Sequence, residues 1–448
     1  MALNVYAWRS LLGLARCDDL MMSTIPAMAL PLGLWTAGRY TLESSEMLAS
    51  KVQAALDEKV EAEVRPVAEL SGLATREDVS PLSLLLGLGR LTSALPGLHR
   101  TGAAGLPGLT ALHTASRWAI IRYLWAFSEV RPDLRLSDLT DEVRSHQRTL
   151  LSESFGIALA GDIIERYVLP NPSRVVDADA VEYDPVLRFD MAALPSHKPD
   201  YFWYREVGGH VSEVVVVEVK GTTSGKTACI RQMARGVAQV LVPAPINGVK
   251  MRRIVIGTEL RGKRLRAYAV EVPEPDEAER LRAVEVVQKR EAVRPVEFPG
   301  LRTQRFAVDV EQEDVDAESF YLDQVRLHAF AGLPVVGETL RQASEVSRGV
   351  LAQRETVEAD GAGFRCETTR VAFGNEIITV RTGVAEEFLS STDAYSADGS
   401  AQRRAAYRQR RSARGQGLVE GRALEAETNI VAATAPDGCL LSVSLNSR

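Results

Sequence analysis

The sequence predicts an α/β fold, a mixed β-sheet flanked by helices, and three observations lead to it. The segment VVVVEVKG at 214–221 is a nearly continuous apolar run, as expected of a strand covered on both faces. A second β-rich run, Tyr201 to Val207, precedes it across Gly208 and Gly209, which is a hairpin signal. Helix-period segments lie on either side of this hairpin, and a further strand, Arg253 to Thr258, follows. The order helix, hairpin, helix, strand implies a mixed sheet between helical layers.

A chain of 448 residues exceeds one ordinary core. The periodicities divide it into a helical N-terminal domain over 1–135, an α/β domain over 136–272 and a small C-terminal α+β region over 273–448. Hydrophobic residues make up 46% and charged residues 25%, which excludes wholesale disorder. Cys17, Cys229, Cys366 and Cys439 are far apart in sequence, in no metal-ligand or paired spacing, so a reducing, cytoplasmic setting is expected. The apolar stretch Met21 to Trp35 is short, interrupted by Pro26 and Pro31, and preceded by Asp18 and Asp19. It reads as core, and no membrane partner is expected.

In the N-terminal part, Leu48, Val52, Leu56, Val60 and Val64 recur every fourth residue and predict a helix over Glu43 to Val64. Leu109 to Phe127 is a second helix, and the Gly- and Pro-rich stretch Gly87 to Gly108 between them suits loops and short helices. Thr140 can cap a long helix that ends before Pro170. On it Leu150, Glu153, Ile157, Ala160 and Ile164 share one face, so Glu153 interrupts an apolar stripe and calls for a partner or a metal. After the central strands, a run of alternating character covers Leu265 to Val272. A charged helix covers Asp276 to Arg290, and Ile377 to Arg381 and Leu440 to Leu445 read as strands.

Three residues carry the chemistry. Glu218 and Lys220 stand two apart near the end of the apolar strand, so strand alternation projects them from one face. The hairpin returns to the level of Asp200, with Asp190 as the fallback if the register differs. Phosphodiester hydrolysis needs charge stabilisation on phosphoryl oxygens and an activated water, both supplied by an oxygen-bound Mg²⁺ (or Mn²⁺). Asp200 and Glu218 are suitable hard ligands, and the backbone carbonyl of Val219 can complete the set. Lys220 can position the water or offset developing charge. The chain has eight lysines against 45 arginines, which makes a lysine at this strand end the more notable.

Pro199-Asp200 followed by Glu218-Val219-Lys220 resembles the PD-(D/E)xK motif of the restriction-endonuclease-like nuclease superfamily, over residues 140–272. GTTSGK after the strand is similar to Mrr-like restriction enzymes. The resemblance implies a restriction-endonuclease-like fold and a metal-dependent endonuclease hydrolysing DNA, with a role in restriction or anti-phage defence. It implies DNA as partner, and a homodimer or a defence-system protein beside it. Glu153 is similar in placement to an additional acidic metal ligand of many members, and Gln239 to a glutamine that several branches place near the site. The RecB-like QxxxY pattern is absent, since Pro243 falls four residues after Gln239, and TTSGKT lacks the first glycine of a helicase P-loop.

Formal net charge is −6, against nonspecific coating of nucleic acid. Residues 231–266 nevertheless hold nine Lys or Arg against Glu259 alone. Lys226, Arg231, Arg235, Arg252 and Arg253 are thus candidates for a phosphate-facing surface. RRAAYRQRRSAR at 403–414 is a second basic run, able to grip a backbone or to stand as a solvated segment. His197 and His210 lie near the motif but pair with no visible group. Two other readings remain open: a noncatalytic nuclease-like fold that binds nucleic acid or protein, and an interaction scaffold whose helical N-terminal part does the work.

Overall fold

A computed structural model describes residues 37–58, 66–92 except 74, 119–128, 132–170, 174–178, 198–207, 210–243, 249–292, 354–388 with short gaps, and 430–447 except 436. A few isolated positions lie between these segments. The elements are, in chain order, β1 Gly38–Glu43, α1 Glu46–Asp57, β2 Ala68–Glu69, β3 Arg76–Val79, α2 Pro81–Thr92 and α3 Ser145–Ile163. Then come β4 Arg174–Asp177, β5 Tyr201–Val207, β6 His210–Thr222, α4 Lys226–Leu241, β7 Lys250–Glu259, β8 Arg266–Val272 and α5 Glu277–Ala292. Five further strands follow: β9 Glu355–Ala359, β10 Ala362–Phe373, β11 Glu376–Ala385, β12 Ile430–Thr434 and β13 Cys439–Ser447.

The chain is mixed α/β. Its main sheet runs β3-β1-β8-β7-β6-β5-β4, with β2 also on β8. β6 pairs antiparallel with β5 and parallel with β7, so α4 serves as the crossover between two parallel strands. Both faces are covered, which explains the uninterrupted valines. Val215 and Val217 enter the core beneath α3, and Val214 and Val216 enter the core beneath α4, all four fully buried. Burial of each such side chain contributes roughly 1.5–3 kcal/mol.

The N-terminal part is not a separate helical domain. β1 pairs parallel with β8 and antiparallel with β3, so residues 38–79 complete the same sheet that holds β6. Alternation in GRYTLE is legible only afterwards, as Tyr40 and Leu42 go to the core while Arg39 and Thr41 stay exposed. The glycine-rich stretch from Gly87 begins inside α2. There Gly89 lets the helix approach Ile120, since a Cβ would stand 2.5 Å from its Cδ1.

The long helix also differs from expectation. Thr140 lies in a separate helical turn, Leu139–Glu142, where its hydroxyl donates to the Ser137 carbonyl, and Val143 is extended before α3 begins. α3 passes into a π-helical turn, Ile164–Val168. Its core face is Leu151, Phe155, Ala158, Leu159 and Asp162, whereas Leu150 is exposed.

β9 to β13 form a five-stranded antiparallel sheet, order β12-β13-β11-β10-β9. It is anchored to the main body by apolar contact with α2 and by a buried ion cluster. Arg90 of α2 reaches Asp437 at 2.9 Å and Glu165 of the π-helical turn at 3.2 Å.

Candidate active site

The hairpin register decides what meets Glu218. Tyr201 pairs with Val217 and Phe202 with Val216, so continuing by one residue sets Asp200 opposite Glu218. The Asp200 amide donates to the Val217 carbonyl at 3.0 Å, and Asp200 Oδ2 accepts the Val219 amide at 2.7 Å. The Asp200 carboxylate is thereby held at the end of β5, beside β6. Because the amide and carbonyl of a strand residue face the same neighbour, the Val219 carbonyl also lies on this edge, beyond the last β5 pair. Asp190 lies outside the described residues.

Glu218 and Lys220 project from the face covered by α4. Gly236 of α4 crosses directly above Glu218; a Cβ there would be 2.9 Å from Glu218 Cγ. The glycine lets the helix close over the acid, and Glu218 is 0% exposed. The Lys220 ammonium contacts Glu218 Oε1, while Oε2 is buried with no hydrogen-bond partner. Burial, and secondarily the Asp200 carboxylate, push the Glu218 carboxyl well above the usual carboxylate range, with Lys220 acting in the opposite direction. Two acids crowded with one ammonium and one orphaned buried oxygen suit a hard divalent cation, which would satisfy that oxygen and relieve the repulsion.

Glu153 does not join them. It is exposed, and α3 covers the opposite face of the sheet from Glu218. Its backbone nevertheless touches the strand end: a Cβ on Gly221 would sit 2.8 Å from the Glu153 nitrogen and 2.1 Å from the Ser152 carbonyl oxygen. The carboxyl has no hydrogen-bond or ion-pair partner among the described residues. Gln239 is near the site but not in it. Its Nε2 donates to the Lys198 carbonyl at 3.0 Å, two residues before Asp200, so it steadies the segment that carries the acid. Among the described residues no group of three or more His, Cys, Asp or Glu side chains could hold a metal ion.

The basic surface is largely consumed by partners distant in sequence. Arg252 forms a two-point pair with Glu271, at 2.8 and 2.9 Å, and donates to the Val168 carbonyl. Arg253 is buried, its guanidinium donates to the Pro243 carbonyl, and burial lowers its pKa to about 10. Lys226 pairs with Glu43 at 2.5 Å and lies over the Tyr268 ring. Lys250 pairs with Glu213 and Lys263 with Asp138 and Asp141. Neither Arg252 nor Arg253 is available to a phosphate. Arg231 and Arg235 remain exposed, one turn apart on α4. Tyr407 of the second basic run is buried against Phe388 and offers no stacking face; the run's arginines lie outside the described residues. His197 lies outside them as well.

The chain matches no protein-family model, no curated protein and no solved structure in the comparisons made. Among the described residues no helix is long and apolar enough to cross a membrane.

Proposed function

We propose that the protein is a metal-dependent nuclease that hydrolyses phosphodiester bonds of DNA. The observation that carries this reading is the buried, unpartnered Oε2 of Glu218 beside the Asp200 carboxylate, with Lys220 on the same strand face. Asp200 and Glu218 would hold a Mg²⁺ or Mn²⁺ ion, with the Val219 carbonyl as a third oxygen. When bound, the ion supplies charge stabilisation on the phosphoryl oxygens and a water of lowered pKa.

The chain's own residues supply the rest. The Val219 amide fixes the orientation of Asp200, and α4 excludes water from Glu218. Lys220, about one quarter exposed, can turn from Glu218 toward a phosphoryl oxygen and offset the charge that grows there. Expected biological settings are restriction or defence against foreign DNA, in the cytoplasm, with a second copy supplying the second cut where both strands are cleaved.

Incubation with supercoiled and linear DNA, in Mg²⁺ or Mn²⁺ and then EDTA, tests the reading. Cleavage should require metal and disappear in Lys220→Ala; metal-dependent cleavage that survives Lys220→Ala would overturn these roles. One observation favours a second reading, a noncatalytic nuclease-like binding fold: among the described residues no third acidic or imidazole ligand joins Asp200 and Glu218. Binding of DNA by the wild type, without cleavage in any metal, would select it.

A further inference from the structure

A cavity of about 430 Å³ opens at the C-terminal ends of β6 and β7, walled by Ser224, Lys226, Thr227, Glu259, Arg261 and Arg266. It lies on the same side of the sheet as the carboxylate pair. Alternation sets Glu218, Lys220 and Thr222 on one face of β6, and the register pairs Lys220 with Gly257 and Thr222 with Glu259. Thr222 lies four steps along the strand from Glu218, so the cavity begins about 13 Å beyond the buried acid at the usual strand rise.

The charges around it do not balance. Lys226 is matched by Glu43, and Arg266 approaches Glu259 at 4.0 Å while Glu259 also accepts the Tyr268 hydroxyl. Arg261 is exposed and has no ion-pair partner among the described residues. Its guanidinium lies against Gly225, where a Cβ would stand 2.9 Å from Nη1, and Gly225 at φ +97° has the backbone conformation that permits this approach. The 16-residue α4 starts at that point, with no side-chain cap and no acid in its first turn. An unmatched cation is therefore held where the helix dipole is also positive. That arrangement favours an anion in the cavity, and the hydroxyls of Ser224 and Thr227 add donors to its wall.

We propose that the cavity receives a backbone phosphodiester of the bound DNA, a few phosphates along the strand from the one cleaved. This rests on the nuclease reading above. One uncompensated positive charge matches the single charge of a phosphodiester better than the greater charge of a free phosphate. A strand carrying a charge about every 3.4 Å of axis reaches both places at once. Arg261 is then a binding residue that sets where along the strand the cut falls.

The test uses the full chain and a fluorescein-labelled DNA duplex, followed by anisotropy in EDTA so that nothing is cut. Relative to wild type, Arg261→Ala should bind several-fold more weakly and lower the slope of log K against log[salt] by about 0.9, the loss of one phosphate contact. Arg261→Lys should recover most of the affinity and Arg261→Glu should lose more. Equal affinity and slope in wild type and Arg261→Ala overturn the proposal, as does a wild type that binds no duplex. Calorimetry with inorganic phosphate separates the two sources of the anion. Tight phosphate binding that Arg261→Ala abolishes, with duplex binding unchanged, reassigns the cavity to a small anion and overturns the proposal. Metal-dependent cleavage is scored independently with Glu218→Gln, so failure of the subsite and failure of the nuclease reading are told apart.

Discussion

Gln239 Nε2 donates a 3.0 Å hydrogen bond to the carbonyl oxygen of Lys198, tying the last turn of α4 to the segment that carries Asp200. Replacing it with leucine removes one hydrogen bond, a net loss of about 0.5–1.5 kcal/mol. The larger effect is expected on metal binding, because outer residues that orient a ligand typically contribute 10- to 100-fold in affinity. Calorimetric titration with Mn²⁺ should show Gln239→Leu weaker by about 10-fold; unchanged affinity would show that Asp200 is held without this bond.

Glu218 makes the metal-free protein sensitive to pH. Its carboxyl is raised far above the usual range, chiefly by burial, so the folded state keeps a proton that the unfolded state releases. The resulting stability is present in full below the ordinary carboxylate pKa and is lost as pH rises through the folded value. Glu218→Gln removes this slope and should raise metal-free stability near neutral pH by roughly 1–3 kcal/mol, while abolishing stabilisation by Mn²⁺. Urea unfolding between pH 5 and 8, with and without Mn²⁺, measures both. A destabilised Glu218→Gln near neutral pH would refute the account.

Two glycines let helices pack closely on β6 from opposite faces, and substitutions there should differ in cost. At Gly236 an added methyl meets the Glu218 side chain at 2.9 Å and Val255 at 3.2 Å, and overpacking of that kind costs about 1–3 kcal/mol. At Gly221 it would meet the Ser152 carbonyl oxygen at 2.1 Å, which is α3 backbone and cannot rotate away. Gly221→Ala should therefore be the more destabilising of the two by denaturant unfolding. The reverse order would show that α3 can withdraw from β6 easily.

Arg90 holds two acids from distant parts of the chain, Glu165 and Asp437, in a largely buried cluster. Arg90→Met keeps much of the apolar stem and strands both carboxylates, at a cost of about 3–5 kcal/mol. Limited proteolysis should then release the β9–β13 segment sooner than in wild type. Equal cleavage rates would mean that the apolar contact with α2 alone secures that sheet.

The parts of the site that depend on a period of two were legible from the residues. Alternation fixed Glu218 and Lys220 on one side, and the hairpin length set Asp200 level with them, because both follow from local geometry. Helix phase was harder to read. Around Glu153 the small residues Gly156, Ala158, Ala160 and Gly161 make either side of α3 acceptable to a core, so the apolar stripe that included Glu153 competed with the true one through Leu151, Phe155 and Leu159. Asp162, which looks like a surface acid, is buried because Tyr40 and Arg166 meet it at 2.9 and 2.8 Å. The basic stretch misled for a similar reason. Its neutralising acids, such as Asp138, Glu213 and Glu271, come from elsewhere in the chain, and no local charge count includes them. β1 escaped notice because it is six residues long and its partner β8 lies more than two hundred residues away.

That last pairing bears on how the protein is made. As the chain leaves the ribosome, β1 emerges with β3 on one edge; on the other edge the segment 132–134 later bridges Arg39, while Thr41 to Glu43 stay open until β8 appears after β4 to β7. An unpaired strand edge is a template for the wrong partner. The charged side chains of Arg39 and Glu43 flanking Tyr40 to Leu42 are suited to keep that edge soluble through the wait. The α/β body can therefore close only once synthesis has passed residue 272, and a version begun at residue 136 would expose the edge of β8 that β1 and β2 occupy.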